Sequence, residues 1–213
     1  MSQAEKIAQA LLDIHAISLR PNQPFTWTSG LKSPIYCDNR LTISHPEVRQ
    51  LLIDGFLATI KDKCPDIEVV AGTATAGIPH AAFIAQALDL PMIYVRDKAK
   101  GHGKQNAIEG EFEKGAKVLM VEDLISTGGS VIHAAHQVQE AGGEIVAALA
   151  IFNYLLPASR EAFAKEDFPL YTLSDFKTLI PIAAKEDPEV EAAQDVLEQW
   201  YQDPQAWTAS HSD

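Results

Sequence analysis

The stretch VLMVEDLISTGGS, residues Val118 to Ser130, decides the fold of this 213-residue chain. Its apolar run, Val118–Val121, leads into two acids, Glu122 and Asp123, and then into a turn of serine, threonine and glycine. A short, continuously apolar run that ends in turn residues predicts a buried strand, and the residues after the turn predict a helix. Two adjacent carboxylates at the crowded end of a strand repel each other unless a cation or hydroxyl groups meet them. The stretch therefore predicts a binding site at the end of a central strand.

Apolar segments alternate with helical patterns along the middle of the chain. Strands are predicted at IEVVAG (67–72), MIYVR (92–96), KVLMVED (117–123), EIVAALAIF (144–152) and LYTLSD (170–175), and helices at IPHAAFIAQALDL (78–90), STGGSVIHAAHQVQEAGG (126–143) and 157–167. Continuously apolar strands separated by helices are typical of a parallel sheet that is covered on both faces. In such sheets, ligands bind beyond the carboxyl ends of the strands. We therefore predict an α/β fold with a central, mostly parallel sheet flanked by helices.

The terminal segments are less regular. Ser2 and Glu5 predict a capping box on an N-terminal helix, and Pro46 predicts the start of a second helix. The residues between them, 19–41, are irregular and rich in proline, and the tail PEVEAAQDVLEQWYQ, 188–202, predicts one acidic helix. No repeat or linker divides the chain. We therefore expect a single domain over residues 1–213, with its core at about 45–155 and decoration at both ends.

Charge and composition exclude several classes of partner. The formal net charge is −12 and the pI is about 4.9, so the surface as a whole repels nucleic acid and anionic lipid. No apolar run reaches the length of about 18 residues that a membrane span needs. The two cysteines, Cys37 and Cys64, do not form a metal-type pair, which agrees with a reducing compartment. These features predict a cytoplasmic protein that binds neither nucleic acid nor membranes.

The turn at Ser126–Ser130 has the chemistry of an anion site. A P-loop would need a lysine in the turn, and a dinucleotide fingerprint would place its acid after the glycines rather than before them. The backbone N–H groups and hydroxyls of this turn stand at the start of a predicted helix, where they favour a phosphate. The carboxylates of Glu122 and Asp123 accept hydrogen bonds from a sugar diol. The combination therefore predicts a site for a ribose 5-phosphate.

The same stretch closely resembles the phosphoribosyl-diphosphate (PRPP) motif of the type I phosphoribosyltransferases. FTWTSGLKSPIYCDNR, 25–40, and VRDKAKGHG, 95–103, resemble the N-terminal signature and the mobile catalytic loop of the orotate phosphoribosyltransferase family, and the resemblance extends from about residue 20 to 155. It implies a phosphoribosyltransferase fold with a small hood from the terminal segments. It also implies a pentosyltransferase that moves ribose 5-phosphate from PRPP to N1 of orotate in pyrimidine (UMP) biosynthesis. The implied cofactor is Mg²⁺, which is held mainly through PRPP rather than by a protein metal site.

The resemblance also assigns roles to residues. The implied PRPP contacts are Arg96, Lys98, Lys100, His102, Glu122, Asp123, Leu124, Ile125, Ser126, Thr127, Gly128, Gly129 and Ser130. Lys100, His102 and Asp123 are the implied catalytic residues. Positive charge beside the departing diphosphate stabilises the transition state, and a closing loop excludes water from the ribosyl cation. In the resembled family this loop reaches the neighbouring active site, which implies a homodimer.

The base site departs most from the resembled family. Ser126, Tyr36 and Lys32 are the expected orotate contacts. Some members carry a base-binding arginine after the strand that follows the PRPP motif; because none stands here, Asn153 or Arg40 would have to serve.

Further departures concern the phosphate contacts. Thr75 and Ala76 stand where many members have a Tyr-Lys pair, and Thr28 stands where some have a lysine. Two alternatives stay open at this point, namely a transferase for a purine or uracil and a non-catalytic regulator that senses PRPP. The basic loop and the net charge of −12 favour an enzyme.

Overall fold

The fold is that of a computed structural model, which describes residues 1–27, 29–96 and 107–211. The strands are β1 (Ile17–Leu19), β2 (Phe25–Thr26), β3 (Lys32–Ser33), β4 (Ile35–Cys37), β5 (Val69–Thr73), β6 (Met92–Val95), β7 (Ile108–Glu109), β8 (Lys117–Ile125), β9 (Glu144–Asn153) and β10 (Leu170–Asp175). The helices are α1 (Gln3–Asp13), α2 (Pro46–Lys63), α3 (Gly77–Leu88), α4 (Gly129–Glu140), α5 (Pro157–Phe163), α6 (Phe176–Glu186), α7 (Pro188–Ala192), α8 (Gln194–Gln202) and α9 (Pro204–Ser210), and a 3₁₀ helix covers Asn39–Ser44. In the described part of the chain, no helix combines the length and apolarity needed to cross a membrane.

A six-stranded sheet with the order β10-β9-β8-β5-β6-β7 forms the centre of the molecule. All neighbouring strands run parallel except β7, which pairs antiparallel with β6. Strand β8 lies between β9 and β5, and its residues Val118–Val121 are fully buried. The predicted fold class, an α/β fold with a mostly parallel sheet, is therefore confirmed.

Each face of the sheet has its own hydrophobic core, because side chains alternate along a strand. On β8, Leu119 and Val121 point to the face covered by α1, α2 and α3. Val118 and Met120 point to the other face, where α4 packs. The apolar runs of the sequence are continuous because both faces are covered.

Several element boundaries differ from the predicted ones. Strand β8 continues through both acids to Ile125, because β9 keeps pairing with it as far as Asn153. Helix α4 accordingly begins at Gly129 rather than at Ser126. At the N-terminus the predicted capping box is confirmed: Glu5 N–H donates to Ser2 Oγ at 3.2 Å, and Ser2 N–H donates to the Glu5 carboxylate at 2.6 Å.

The prediction of one acidic helix over 188–202 is wrong. The chain breaks at Ala193 into α7 and α8, and two further helices, α6 and α9, were not predicted. Helix α8 places Leu197 and Trp200 in the core with no exposed surface. Tertiary packing of these apolar side chains decides the break, since helix propensity alone carries little weight in short segments.

Residues 17–27 and 29–44, here called the hood, cover the carboxyl end of strand β9. Within the hood, β1 pairs with β4 and β2 pairs with β3, both antiparallel. The Trp27 ring stacks on Tyr154, just after β9, with 5.1 Å between centroids. Trp200 of α8 meets both rings edge-on at 5.9 and 6.0 Å. Aromatic packing therefore attaches the hood to the sheet and to the C-terminal helices.

Candidate functional site

The acidic pair lies in the last part of β8, which extends beyond the end of its neighbour β5. Strand β5 pairs with β8 only as far as Val121, so among the described residues this ladder does not continue to Asp123. The backbone N–H of Asp123 donates instead to the carboxylate of Glu122 at 3.0 Å. The carbonyl of Asp123 accepts a hydrogen bond from the side-chain amide of Asn39 at 2.7 Å. The backbone N–H and carbonyl of Asp123 are thus hydrogen-bonded to side chains rather than to a neighbouring strand.

Burial sets the electrostatics of the pair. Only 7% of Glu122 is exposed. Burial raises the pKa of Asp123 above its ordinary value, while its hydrogen bond with Glu122 and the charge of Arg40 oppose the rise. Two desolvated carboxyl groups at one strand end favour ligands that bring hydroxyl donors or positive charge.

The turn after the acids is shaped as an anion cradle. Gly128 caps helix α4 with a φ of +82°, and an added Cβ there would lie 2.7 Å from the Phe163 ring. Both facts require glycine, and a glycine cap has no side chain to occupy the first amides of the helix. The turn encloses a cavity of about 30 Å³, lined by Glu122, Leu124, Ile125, Ser126, Thr127, Gly128, Gly129, Ser130 and Val131. A helix N-terminus with this opening favours a phosphate-sized anion.

A second loop, between β5 and α3, lies beside the acids. Gly77 begins α3 so close to β8 that an added Cβ would overlap the carbonyl oxygen of Val121. The peptide between Ala74 and Thr75 is cis. Thr73 Oγ1 is buried and has no hydrogen-bond partner among the described residues. A buried hydroxyl without a partner points to a ligand at this loop.

The basic loop predicted for diphosphate falls mostly outside the described residues. Lys98, Lys100 and His102 lie there. Arg96 directly follows β6, and its guanidinium pairs with Glu109 on β7 at 3.1 Å. The structure therefore brings Arg96 to the same edge of the sheet as the acids.

The predicted base contacts divide into two groups. Tyr36 is 42% exposed, and its ring packs against Phe25 with 5.5 Å between centroids. Ser126 lies in the anion cradle. Lys32, by contrast, is held by the C-terminal segment, since its ammonium donates to the carbonyl of His211 and its N–H donates to Thr208 Oγ1 at 3.0 Å.

The two candidates for the missing arginine also differ. Asn153 is buried, and its side-chain oxygen accepts from the N–H of Leu155 at 2.7 Å. Arg40 projects from the 3₁₀ helix with 64% of its side chain exposed. One edge of its guanidinium pairs with both carboxylate oxygens of Asp38, at 2.6 and 2.8 Å. Arg40 is therefore an oriented cation at the rim of the site.

Sequence reasoning missed Asn39 and Thr73 as members of the site. Asn39 stands in the quoted signature, but its contact with Asp123 spans 84 positions and depends on how the hood folds back. Thr73 directly follows the predicted strand 67–72, at the expected edge of the sheet, and the sequence offered this position as a signal.

A larger surface cavity does not belong to the site. It measures about 740 Å³ and lies where β5, β6 and β8 begin, with Val69, Pro91 and Ala116 in its lining. In parallel sheets ligands bind at the opposite, carboxyl end of the strands. The acids, the cradle and the second loop therefore mark the site better than cavity size does.

A parallel sheet whose central strand carries an acidic pair and a phosphate cradle is the arrangement of a PRPP-using transferase. The family model described as phosphoribosyl transferase domain matches residues 45–177. Orotate phosphoribosyltransferase of Enterococcus faecalis is 51% identical over 96% of this chain and 97% of its own length. The enzyme of the same name from Staphylococcus saprophyticus is 56% identical over 88% of this chain and 92% of its own.

A solved structure agrees with these relatives. Orotate phosphoribosyltransferase from Aeropyrum pernix is 28% identical, with a TM-score of 0.75 over 84% of this chain and 98% of that one. The chain belongs to the orotate phosphoribosyltransferase family. The predictions of the family and of a pentosyltransferase are confirmed.

Proposed function

We propose that this chain transfers ribose 5-phosphate from PRPP to N1 of orotate, which yields orotidine 5′-phosphate and diphosphate. The reaction makes a pyrimidine nucleotide and thus belongs to UMP biosynthesis. The observation that carries the proposal is the acidic pair at the end of β8, with Glu122 buried and Asp123 partly buried, followed by the cradle Ser126–Ser130. The names of the relatives supply the identity of the base.

The site seats PRPP in three parts. The 5′-phosphate binds in the cradle, where the first amides of α4 and the hydroxyls of Ser126, Thr127 and Ser130 surround it. The two ribose hydroxyls donate to Glu122 and Asp123. Diphosphate lies toward the second loop, where the buried Thr73 hydroxyl meets it, and toward the basic loop that contributes Lys98, Lys100 and His102. Arg96 stands at the start of that loop.

The chemistry needs positioning and charge rather than a covalent nucleophile. The C1–O bond breaks and its electron pair leaves with diphosphate, while N1 of orotate releases its proton to solvent and bonds to C1. Arg96, Lys100 and His102 stabilise the departing charge. The carboxylates, with Asp123 in the catalytic role, stabilise the positive charge that develops on the ribose. Holding both substrates in line supplies much of the rate.

The acidic pair also fits Mg²⁺ that arrives with PRPP. Mg²⁺ keeps several waters and binds through one or two carboxylates plus substrate phosphates. Glu122 and Asp123 offer two adjacent carboxylates, whereas the described residues contain no group of three or more potential metal ligands. When bound, Mg²⁺ neutralises charge on the departing diphosphate.

Arg40 takes the part of the missing base-binding arginine. Orotate is a planar anion, and a guanidinium recognises a carboxylate through two parallel hydrogen bonds. Asp38 fixes one edge of the Arg40 guanidinium, and the remaining donors stay exposed beside the half-exposed ring of Tyr36. Tyr36 provides an apolar surface for the pyrimidine, with Ser126 at its rim. Lys32 joins them once its ammonium leaves the His211 carbonyl.

The active form is a homodimer in which the basic loop serves the neighbouring site. Two inactive variants, Lys100→Ala and Asp123→Asn, test this arrangement when they are mixed. If the loop acts in trans, a mixed dimer has one site with both residues intact, and activity returns. No recovery, despite subunit exchange seen by native mass spectrometry, would contradict the proposal.

The activity itself is tested by the loss of orotate absorbance with Mg²⁺ and PRPP. We expect turnover with orotate and none with uracil, adenine or hypoxanthine. The Arg40→Gln variant should raise KM for orotate by about 10- to 100-fold with little change in KM for PRPP. The matched control is Arg49→Gln, which should leave both KM values unchanged. Turnover with a purine or uracil instead would overturn the base assignment. PRPP binding without any turnover would favour a regulator.

A further inference from the structure

We propose that Asn39 is a positioning residue that aligns the acidic pair with the ribose of PRPP and couples it to the base-binding hood. The inference rests on the proposed function for the identity of the ribose ligand. Asn39 is completely buried, and it follows directly on the Asp38 that orients Arg40. It has no direct role in the reaction, because its amide bonds to the backbone of β8.

The first argument is the length of strand β8. Among the described residues, β5 pairs with β8 only as far as Val121, so the ladder that fixes the rest of the sheet does not continue to Asp123 on that side. The Asn39 amide, 2.7 Å from the carbonyl oxygen of Asp123, supplies the missing donor. The N–H of the same residue is bonded to Glu122 at 3.0 Å. Both backbone groups of Asp123 are thus anchored, and the direction of its side chain is fixed with them.

The second argument is the surroundings of Asn39, which allow one orientation of its amide. Its side-chain oxygen accepts from the Cys37 thiol at 3.3 Å, and its backbone carbonyl accepts from Thr42 Oγ1 at 2.6 Å. Burial raises the pKa of Cys37, so this thiol keeps its proton and remains a donor. With the oxygen facing a donor, the NH₂ group must face Asp123. A carboxylate of the same shape at position 39 would face the carbonyl without a proton to donate.

The third argument is the place of Asn39 between two subsites. On one side it contacts the acids that receive the ribose, and on the other its neighbours Asp38 and Arg40 form the rim that receives the base. A shift of the 3₁₀ helix on base binding therefore reaches Asp123 through one hydrogen bond. Residues that orient a group in contact with the substrate typically change affinity or rate by about 10- to 100-fold when removed.

The test compares Asn39→Asp, Asn39→Ser and the matched control Ser174→Ala. Ser174 lies on β10, which β9 separates from the acid-bearing β8, and its buried hydroxyl donates to the Ala4 carbonyl at 2.9 Å. Calorimetry measures the Kd for ribose 5-phosphate and for inorganic phosphate, and kinetics measure kcat and KM for both substrates. Thermal melts establish that each variant is folded, and Asn39→Ser replaces Asn39→Asp if the latter does not fold.

We expect both Asn39 variants to bind ribose 5-phosphate about 10- to 100-fold more weakly, with inorganic phosphate and the control unchanged. In Asn39→Asp, activity should recover as pH falls, because a protonated carboxyl can donate to Asp123. Equal affinity for ribose 5-phosphate in the parent and both variants would overturn the proposal, as would an equal loss for inorganic phosphate. In a further outcome, the parent binds ribose 5-phosphate more tightly than the variants and yet does not turn over orotate. That result would refute the proposed function and leave the role of Asn39 intact.

Discussion

Replacing Gly77 by alanine should impair catalysis strongly while the protein still folds. Gly77 begins α3 beside the acidic strand end, and an added Cβ would lie far inside the 3.0 Å that real Cβ atoms keep from the carbonyl oxygen of Val121. The next contacts are the carbonyl carbon of Val121 at 3.2 Å and Glu122 Cα at 3.4 Å. Because the φ of Gly77 is not positive, the strain comes from this overlap alone.

The expected loss of activity follows from how far the second loop must move away from β8. Ordinary contacts begin near 3.5 Å, so the second loop must withdraw from β8 by about 1 Å. A displacement of that size between two groups that hold the same substrate lowers the rate by roughly 100-fold. Overpacking of this kind reduces the free energy of unfolding by about 1–3 kcal/mol. Gly77→Ala should therefore fold and yet lose about two decades of kcat/KM for PRPP.

The assay follows orotate absorbance with PRPP varied, and urea denaturation measures stability. Gly72→Ala should show a smaller loss, since its Cβ would lie 2.9 Å from the Ile78 Cα. Gly55→Ala is the control, because there the nearest atoms are flexible side-chain ends at 3.2 Å, away from the site. If Gly77→Ala keeps kcat/KM within about threefold of the parent, contact between the second loop and the acids is not needed for catalysis.

Three further predictions concern stability. Trp200→Ala should reduce the unfolding free energy by about 3–5 kcal/mol in urea denaturation, because the indole is fully buried among aromatic rings; a loss under about 1 kcal/mol would show that the C-terminal helices contribute little. Burial lowers the pKa of His80 to about 4, so the contribution of His80 to stability should be constant above pH 6.5 and fall by up to about 3 kcal/mol between pH 6.5 and about 4. His80→Gln should remove that dependence, and the same pH profile in parent and variant would contradict the assignment. Because burial raises the pKa of Asp123, its ionisation opposes folding, and Asp123→Asn should stabilise the protein at neutral pH while abolishing turnover. The gain in unfolding free energy should vanish below about pH 3.8, where the unfolded carboxyl is also protonated. A variant less stable than the parent at pH 7 would contradict this prediction.

The sheet was predictable because its strands are buried on both faces. Val118–Val121 and 145–152 are continuously apolar for that reason, and their order with the intervening helices predicts parallel pairing. The end of β8 was not predictable, since Leu124 and Ile125 stay in the strand only through pairing with Phe152 and Asn153. The break at Ala193 likewise depends on side chains that meet only in the folded chain.

The candidate site divides along the same line. Glu122, Asp123 and the cradle are contiguous in sequence, so their chemistry can be recognised locally. Asn39 and the attachment of Lys32 to His211 require contacts across 84 and 179 positions. No local pattern encodes such distant hydrogen bonds, and only the folded hood brings the partners together.

The positions of the tryptophans allow intrinsic fluorescence to report on the hood. The chain has three tryptophans: Trp27 lies in the hood, while Trp200 and Trp207 lie in the C-terminal helices against it. The Trp27 indole is stacked on Tyr154 and donates to the Ile35 carbonyl at 3.3 Å. Intrinsic tryptophan fluorescence therefore comes from the hood and the helices packed against it rather than from the sheet. Emission recorded during a substrate titration follows hood movement directly, without an added dye.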